Sequence, residues 1–293
     1  MIIDLQFHSV YSDGYLNPKD LARFVASRNV KVAALTDHNT LAGINEFKEH
    51  CQRYNIKVIN GLELYCRYKR KTINILWYNF DDKNEKLLGI LEETRKRRYL
   101  MVKKALLRLK KRGFRLNVDE ILSEFKHYIP INRLAEKITK NHFNYSKIFK
   151  EVRIKNKFVK TLREEDILGV LFFNKKSDRL NESYINVERV VELKKEIGGQ
   201  LIFCHPGKYN KYAGDIILKL RDMGVDGLEV LSPHHTVGAV MHAQFLAETL
   251  DMIASGGSDF HRFEEGENFK IRSFDDWFKI DSKYLRRIKE IIS

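Results

Sequence analysis

Cysteine is scarce in this 293-residue chain: Cys51, Cys66 and Cys204 are odd in number, widely spaced and outside any CxxC pattern. That excludes a disulfide framework and a zinc-ribbon site, and leaves three reduced, mostly buried thiols. No long uncharged apolar run occurs, so no membrane-spanning helix and no membrane partner are expected. The N-terminus MIIDLQFHS has neither a basic n-region nor a cleavage site and runs straight into strand-like sequence. A cytoplasmic protein is expected. Proline is limited to 4 residues beside 43% hydrophobic content, the composition of a soluble chain that buries a core as one large α/β domain or two smaller ones.

Charge is present in excess, and it is regional. Of the net +14, residues 91–190 carry +13, from 26 Lys+Arg against 13 Asp+Glu, and the rest of the chain is nearly neutral. A basic module of this kind attracts nucleic acid or another polyanion through counterion release. A solvated surface in a Lys- and Asn-rich chain is the equal alternative. Phe114, Phe125, Tyr128, Phe143, Tyr145 and Phe149 lie in the same region; they can stack on bases, although aromatics spaced through helices more often belong to a core.

Outside that region, strands and helices alternate at parallel-sheet spacing. Seven strands are predicted, beginning at Ile2, Val32, Lys57, Thr72, Leu201, Gly227 and Met252, with helices opening at Pro18 behind an Asn17 cap and near Leu41, Val187, Asp215 and Val237. Between the fourth and fifth strands lies a long charged helix from about Glu85 to Arg112, followed by shorter helical pieces to about Asn186. The predicted organisation is 1–84 and 187–293 as two parts of one barrel, and 85–186 as an inserted basic helical cap overhanging its rim.

The unusual residues fall at strand ends: His8 and Asp13, His38, Glu63, His205, His235, and Asp259 with His261. Each has a dull explanation alone, but repetition at six strand ends points to a β/α barrel, where such ends converge on one rim. At the last of them the paired glycines Gly256-Gly257 are read as a sharp turn that lets Asp259 and His261 face one centre. Imidazole and carboxylate without thiolate suit Mn²⁺, Fe²⁺ or Zn²⁺, and so many ligands imply more than one ion. Neighbouring ions can hold a hydroxide, polarise a phosphoryl oxygen and steady a leaving oxygen, so metal-assisted phosphoester hydrolysis is the expected chemistry. Amide hydrolysis is the lesser alternative.

In order, Asp4-Leu5-Gln6-Phe7-His8-Ser9 with Ser12-Asp13-Gly14, Thr36-Asp37-His38, Gly61-Leu62-Glu63, His205-Pro206-Gly207, Glu229 through His235, and Gly257-Ser258-Asp259-Phe260-His261 resemble the motifs of the PHP (polymerase and histidinol phosphatase) phosphoesterases. The insert resembles, more loosely, the cap of the branch that acts on nucleoside 3′,5′-bisphosphates and on RNA from the 5′ end. The resemblance implies a distorted seven-stranded (β/α) barrel with two or three divalent transition metal ions. It makes His8, Glu63 and Asp259 ligands of one ion, Glu63 with His205 ligands of a second, and Asp13, His38 and His261 ligands of a third. His235 would stand by the substrate phosphate as proton donor or positioning group, with Asp259 and His38 also essential to turnover. Ser12 lacks a nucleophile-elbow setting and reads as a loop hydrogen bonder.

Three departures from the family pattern stand out. Gln6 replaces the first His of Asp-Leu-His-x-His, Asn74 stands where the following strand offers a His, and Asn132-Arg133 replaces Arg-Pro-His in the cap. Amide oxygens bind these ions more weakly than imidazole, so Gln6 and Asn74 are weak ligands at best. Arg133, like Lys208 and Arg262, is a candidate clamp for substrate phosphate. The expected function is metal-dependent hydrolysis of a phosphate ester on a nucleotide or single-stranded nucleic-acid end. The alternatives are a PHP module that binds nucleic acid without cutting it and a small-molecule phosphatase of histidinol-phosphatase type.

Overall fold

The computed structural model of the protein describes residues 1–155, 157–173, 184–263 and 279–293. The chain divides into two compact units, Met1–Leu91 with Tyr184–Ser293, and Glu92–Ser183. In the first, a four-stranded sheet runs in the order β10-β1-β2-β3 and a six-stranded sheet in the order β6-β4-β5-β7-β8-β9. The strands are β1 (Ile2–Asp4), β2 (Val32–Ala33), β3 (Lys57–Val58), β4 (Gly61–Tyr68), β5 (Lys71–Tyr78), β6 (Ile185–Asn186), β7 (Gln200–Phe203), β8 (Gly227–Leu231), β9 (Ile253–Gly256) and β10 (Ile280–Asp281). Pairing is parallel along β1-β2-β3 and β7-β8-β9, and antiparallel where β5 meets β4 and β7.

The expected closed ring of strands is not what the ladders form. Neither sheet closes on itself among the described residues; two isolated parallel bridges, Phe7↔Phe260 and His38↔Glu63, link one sheet to the other. A second difference concerns Glu63, which sequence reading places at the end of a third strand. That strand stops at Val58, and Gly61–Tyr68 is a separate strand paired with β5 along its whole length, Glu63 opposite Leu76. The buried run of Leu62, Leu64 and Cys66 on β4 drives the pairing and carries Glu63 into the interior, where it is 1% exposed.

Helices cover the first unit for ordinary reasons. The helix α1 (Pro18–Ser27) starts with Pro at N1 and an Asn17 side chain accepting the Asp20 N–H, and buries Leu21, Ala22 and Val25. Those side chains meet Phe7, Leu35, Phe260 and Phe47 of α2 (Ile44–Gln52). A larger core gathers Ile3, Trp77, Phe203, Leu228 and Ile253 with Val190 and Leu193 of α8 (Val187–Ile197). The helix α3 (Glu85–Lys111) buries Leu87, Ile90 and Leu91 in that core and Val102, Leu106 and Leu109 in the core of the second unit.

The second unit is helical: α4 (Val118–Ser123), α5 (Ile131–Thr139), α6 (His142–Lys155) and α7 (Glu164–Leu171) follow α3. Leu134, Ile138, Ile148 and Val170 close its core. Buried Asn144 ties it together by accepting the Arg115 N–H at 2.7 Å and donating to the Arg115 and Ile138 carbonyls. Of its aromatics, Phe114, Phe125 and Tyr128 are core residues, whereas Phe143 and Tyr145 are exposed and Arg115 lies 4.0 Å over the Phe143 ring. No described helix is long and apolar enough to cross a membrane.

Candidate metal centre

Period-two alternation after β1 puts Asp4, Gln6 and His8 on one side of an extended segment, and all three are fully buried. Two backbone bonds clamp that segment to the loop after β9: His8 N–H to the Phe260 carbonyl and Asp259 N–H to the Gln6 carbonyl. Close approach is what the glycines there provide. Neither Gly256 nor Gly257 has positive φ, so the sharp-turn expectation does not hold; a Cβ on Gly257 would lie 2.5 Å from the Gln6 backbone nitrogen. The strained positions are two of the polar residues themselves, His205 at φ 33° and Asp259 at φ 49°.

The loop bearing Asp13 is held by Asp37, which accepts from the Ser9 N–H at 2.8 Å and from the Ser9 and Ser12 hydroxyls, each at 2.5 Å. Ser12 is thus a loop hydrogen bonder. Three groups of potential ligand atoms result, each within 4.8 Å of one another: His8, Asp13, His38 and His261; His8, Glu63 and Asp259; and Glu63, Cys204 and His205. His8 Nε2 stands 3.0 Å from Asp259 Oδ1 and 3.2 Å from Glu63 Oε2. Asp13 meets His38 Nε2 and His261 Nε2, both at 3.3 Å. Glu63 Oε1 is 3.5 Å from His205 Nε2.

Burial opposes ionisation of Asp13, Glu63 and Asp259, yet the imidazoles around them outweigh it and hold all three carboxyls well below the usual range. Burial also disfavours protonated His8, but Asp259 and Glu63 at its ring raise its pKa well above the ordinary value. For His205 burial wins and lowers the pKa to about 4. Deeper in, burial pushes Glu229 far up and Asp4 to about 7.

A divalent ion fits the first group. Its four donors are imidazole and carboxylate, the set suited to Mn²⁺, Fe²⁺ or Zn²⁺. His261 Nδ1–H donates to the Asp259 carbonyl at 2.7 Å, which leaves Nε2 facing Asp13 as a ligating imidazole requires. Buried atoms near the other two groups lack hydrogen-bond partners, namely His205 Nδ1, Gln6 Oε1 and Glu229 Oε1. In proteins such atoms mark an incomplete coordination or hydrogen-bond shell.

The remaining sequence-selected residues divide. Gln6 and Asn74 both reach Glu63, but their amide N–H groups donate to its carboxylate, at 3.0 and 2.5 Å, instead of an oxygen facing a shared centre. His235 turns away. Its Nδ1–H donates to the Val230 carbonyl at 2.8 Å and its Nε2 accepts the Gly207 N–H at 3.0 Å, so both ring nitrogens serve the backbone. The neighbouring His234 takes the place at the centre, with Nε2 2.6 Å from Asp259 Oδ2 and a side chain 37% exposed. Sequence reading passed it over; the His-His pair after β8 was the signal, and the two rings leave the turn that closes at His235 N–H to the Ser232 carbonyl toward different partners. Tyr65 was missed as well: its ring stacks on His38 at 4.3 Å.

Lys208 is exposed, and its charge acts on His205, Cys204 and Glu229. Arg262 donates to the Tyr15 hydroxyl at 3.3 Å and lies over that ring. Arg133 belongs to α5 of the second unit, with its guanidinium 5.6 Å over the Phe125 ring.

Residues 4–165, more than half of the chain, match the PHP domain. The chain belongs to the PHP domain family. Three curated relatives align along most of its length. This PHP protein is 27% identical over 267 residues to the 3′,5′-nucleoside bisphosphate phosphatase of Chromobacterium violaceum, covering 90% of this chain and 88% of the relative. It is 26% identical over 262 residues to the 5′-3′ exoribonuclease of Haemophilus influenzae, covering 88% and 89%. To the phosphoribosyl 1,2-cyclic phosphate 1,2-diphosphodiesterase of Eggerthella lenta it is 25% identical over 263 residues, covering 89% and 94%.

Proposed function

We propose that this PHP protein is a metal-dependent phosphoesterase that hydrolyses a phosphate ester of a nucleotide or of a nucleic-acid end. The observation that carries the reading is the meeting of three carboxyls held well below their usual pKa, buried Glu63 and Asp259 and half-buried Asp13, with the imidazoles of His8, His38, His205 and His261. The relatives support the substrate class, since their names place every substrate among ribose phosphates or RNA. Within the same reading, the circuit β1-β2-β4-β5-β7-β8-β9, bridged at Phe7↔Phe260 and His38↔Glu63, is a distorted seven-stranded barrel.

The three groups would hold two or three ions, His8 and Glu63 each belonging to two of the groups. Bound there, Mn²⁺, Fe²⁺ or Zn²⁺ supplies Lewis-acid polarisation of a phosphoryl oxygen and a nucleophile at neutral pH. The chain's own residues do the rest. His234, the half-exposed imidazole against Asp259, holds or delivers a proton at the departing ester oxygen, the part sequence reading assigns to His235. Lys208 and Arg262 bind substrate phosphate, and on the second unit Arg133 and the exposed basic residues of α3 are by themselves suited to phosphate groups of a polyanion. A cleft lined by Gly207, His234, Thr236, Gly238, Ala239 and His242 offers room for a sugar or base beside His234.

The test is release of phosphate from a nucleoside 3′,5′-bisphosphate and of nucleotides from a 5′-phosphorylated oligonucleotide, with and without added Mn²⁺. Wild-type turnover of either, lost in His38→Ala and Asp259→Ala, is the expected result. Unchanged turnover in both variants under metal-limited conditions overturns the site. One observation favours a second reading, a nucleic-acid-binding module with a weakened centre: Gln6 and Asn74 donate to Glu63 where ligating groups would be needed. Tight oligonucleotide binding without turnover at saturating Mn²⁺ selects it.

A further inference from the structure

Cys204 is buried in unusual company. It follows β7, is 0% exposed, and its Sγ lies 3.1 Å from Gln6 Nε2, 3.6 Å from Glu63 Oε1 and 3.7 Å from Glu229 Oε2. A structural cysteine behaves as a small hydrophobe and is placed among apolar groups. Cys51 is of that kind, packed among Phe7, Leu21, Phe47 and Ile56. Cys204 borders the larger apolar core, but its sulfur also faces an amide and two carboxyl groups, beside an imidazole on the next residue.

We infer that Cys204 is a metal ligand, and that Glu63, Cys204 and His205 form an N,O,S site selective for a zinc-type ion. The spacing is that of a coordination shell. At zinc bond lengths a tetrahedral ion separates a sulfur from an oxygen ligand by about 3.5 Å and a nitrogen from an oxygen by about 3.3 Å. Here Cys204 Sγ to Glu63 Oε1 is 3.6 Å and His205 Nε2 to Glu63 Oε1 is 3.5 Å. Three further buried atoms around these ligands have no hydrogen-bond partner: Gln6 Oε1, Glu229 Oε1 and His205 Nδ1.

The side chains around Glu63 leave room for this role. Gln6 and Asn74 stand beside it as amides whose N–H groups donate to its carboxylate, so neither supplies a nitrogen donor at this end of the centre. A thiolate restores the third ligand with a softer atom and leaves a fourth position open, the arrangement of a catalytic zinc site. On binding, the thiol proton leaves to solvent and the sulfur donates its electron pair to the ion. Softness moves the preference of this position from Mn²⁺ toward Zn²⁺, while the four-donor group of His8, Asp13, His38 and His261 remains an imidazole and carboxylate site.

The inference rests on the metal-dependent reading above, and the experiment separates the two. Protein loaded with Co²⁺ is recorded in the near-ultraviolet and visible, beside Cys204→Ser, Cys51→Ser and Cys66→Ser. Wild type is expected to show a thiolate-to-cobalt charge-transfer band that disappears only in Cys204→Ser, together with the loss of one equivalent of bound metal. Cobalt bound without that band, or a band unchanged in Cys204→Ser, overturns the thiolate ligand and leaves the metal centre standing. No cobalt bound at all overturns both. Zinc X-ray absorption on unmutated protein guards against a misfolded variant: a sulfur shell at about 2.3 Å supports the assignment, and a shell of nitrogen and oxygen alone rejects it.

Discussion

The two units handle charge in opposite ways. In the first, carboxylates and imidazoles are pressed against one another in and beside the interior; burial opposes ionisation of Asp13, Glu63 and Asp259, and the histidines around them hold all three carboxyls well below the usual range. In the second, Arg98 is buried against the Ile129 carbonyl, but Lys104, Arg108, Lys110 and Lys111 along α3 are exposed on the outside of a small helical core. Buried charge acts at short range in low dielectric and can do chemistry; exposed charge is screened and contributes affinity spread over many contacts.

The contrast predicts effects of very different size. Asp259→Ala or His38→Ala should reduce turnover by up to about 10⁴-fold with the far-ultraviolet circular dichroism unchanged. Wild-type rates in either variant would mean that the buried cluster is not the reacting centre.

Next in size is the pH dependence of stability in chelated protein. Burial raises the Asp4 carboxyl from 3.8 to about 7, so the folded state keeps a proton that the unfolded state has lost. Stability from this group is fully present below the unfolded pKa and is lost as pH rises through the folded one, a fall of order 4 kcal/mol between those limits. Asp4→Asn, which stays neutral, should flatten that fall in denaturant titrations; an identical slope in the variant would show that Asp4 is ionised throughout.

The second unit should respond to salt. Binding of a 5′-phosphorylated single-stranded oligonucleotide is expected to fall with log salt at a slope of about −3 or steeper, and binding of a nucleoside 3′,5′-bisphosphate much less. Neutralising Lys103, Lys104, Arg108, Lys110 and Lys111 together should remove most of the difference. Salt-insensitive binding, unmoved by the five changes, would reduce this basic surface to solvation alone.

Smaller still is Gln6→His, expected to raise metal occupancy or lower the Mn²⁺ concentration needed for turnover a few-fold, read by elemental analysis and activity. No change in either would place Gln6 outside the reach of any ion. Smallest of all is Asp119→Asn, which breaks the exposed Lys103–Asp119 pair of the second unit. Thermal unfolding should show no resolvable shift, because solvent screens a surface pair; a clear drop in the unfolding temperature would show that the pair holds the unit together.

Much of this was legible without coordinates. Motif order and residue type carried the family, because metal ligation restricts a position to His, Asp, Glu or Cys whatever surrounds it. Helix α1 was legible from its Asn17 cap and the Pro that opens it, which are local properties of the chain. Tertiary structure decided the rest. Glu63 lies inside β4 because pairing with β5 outweighs the break that a polar residue suggests. His234 faces Asp259 and His235 faces the backbone, since the turn after β8 sends the two adjacent rings to different partners. Cys204 looked like an ordinary buried thiol until β4 and β7, each paired to β5, brought its sulfur to Glu63 across 141 residues of sequence. Such contacts depend on which strand lies beside which, and no local pattern encodes that.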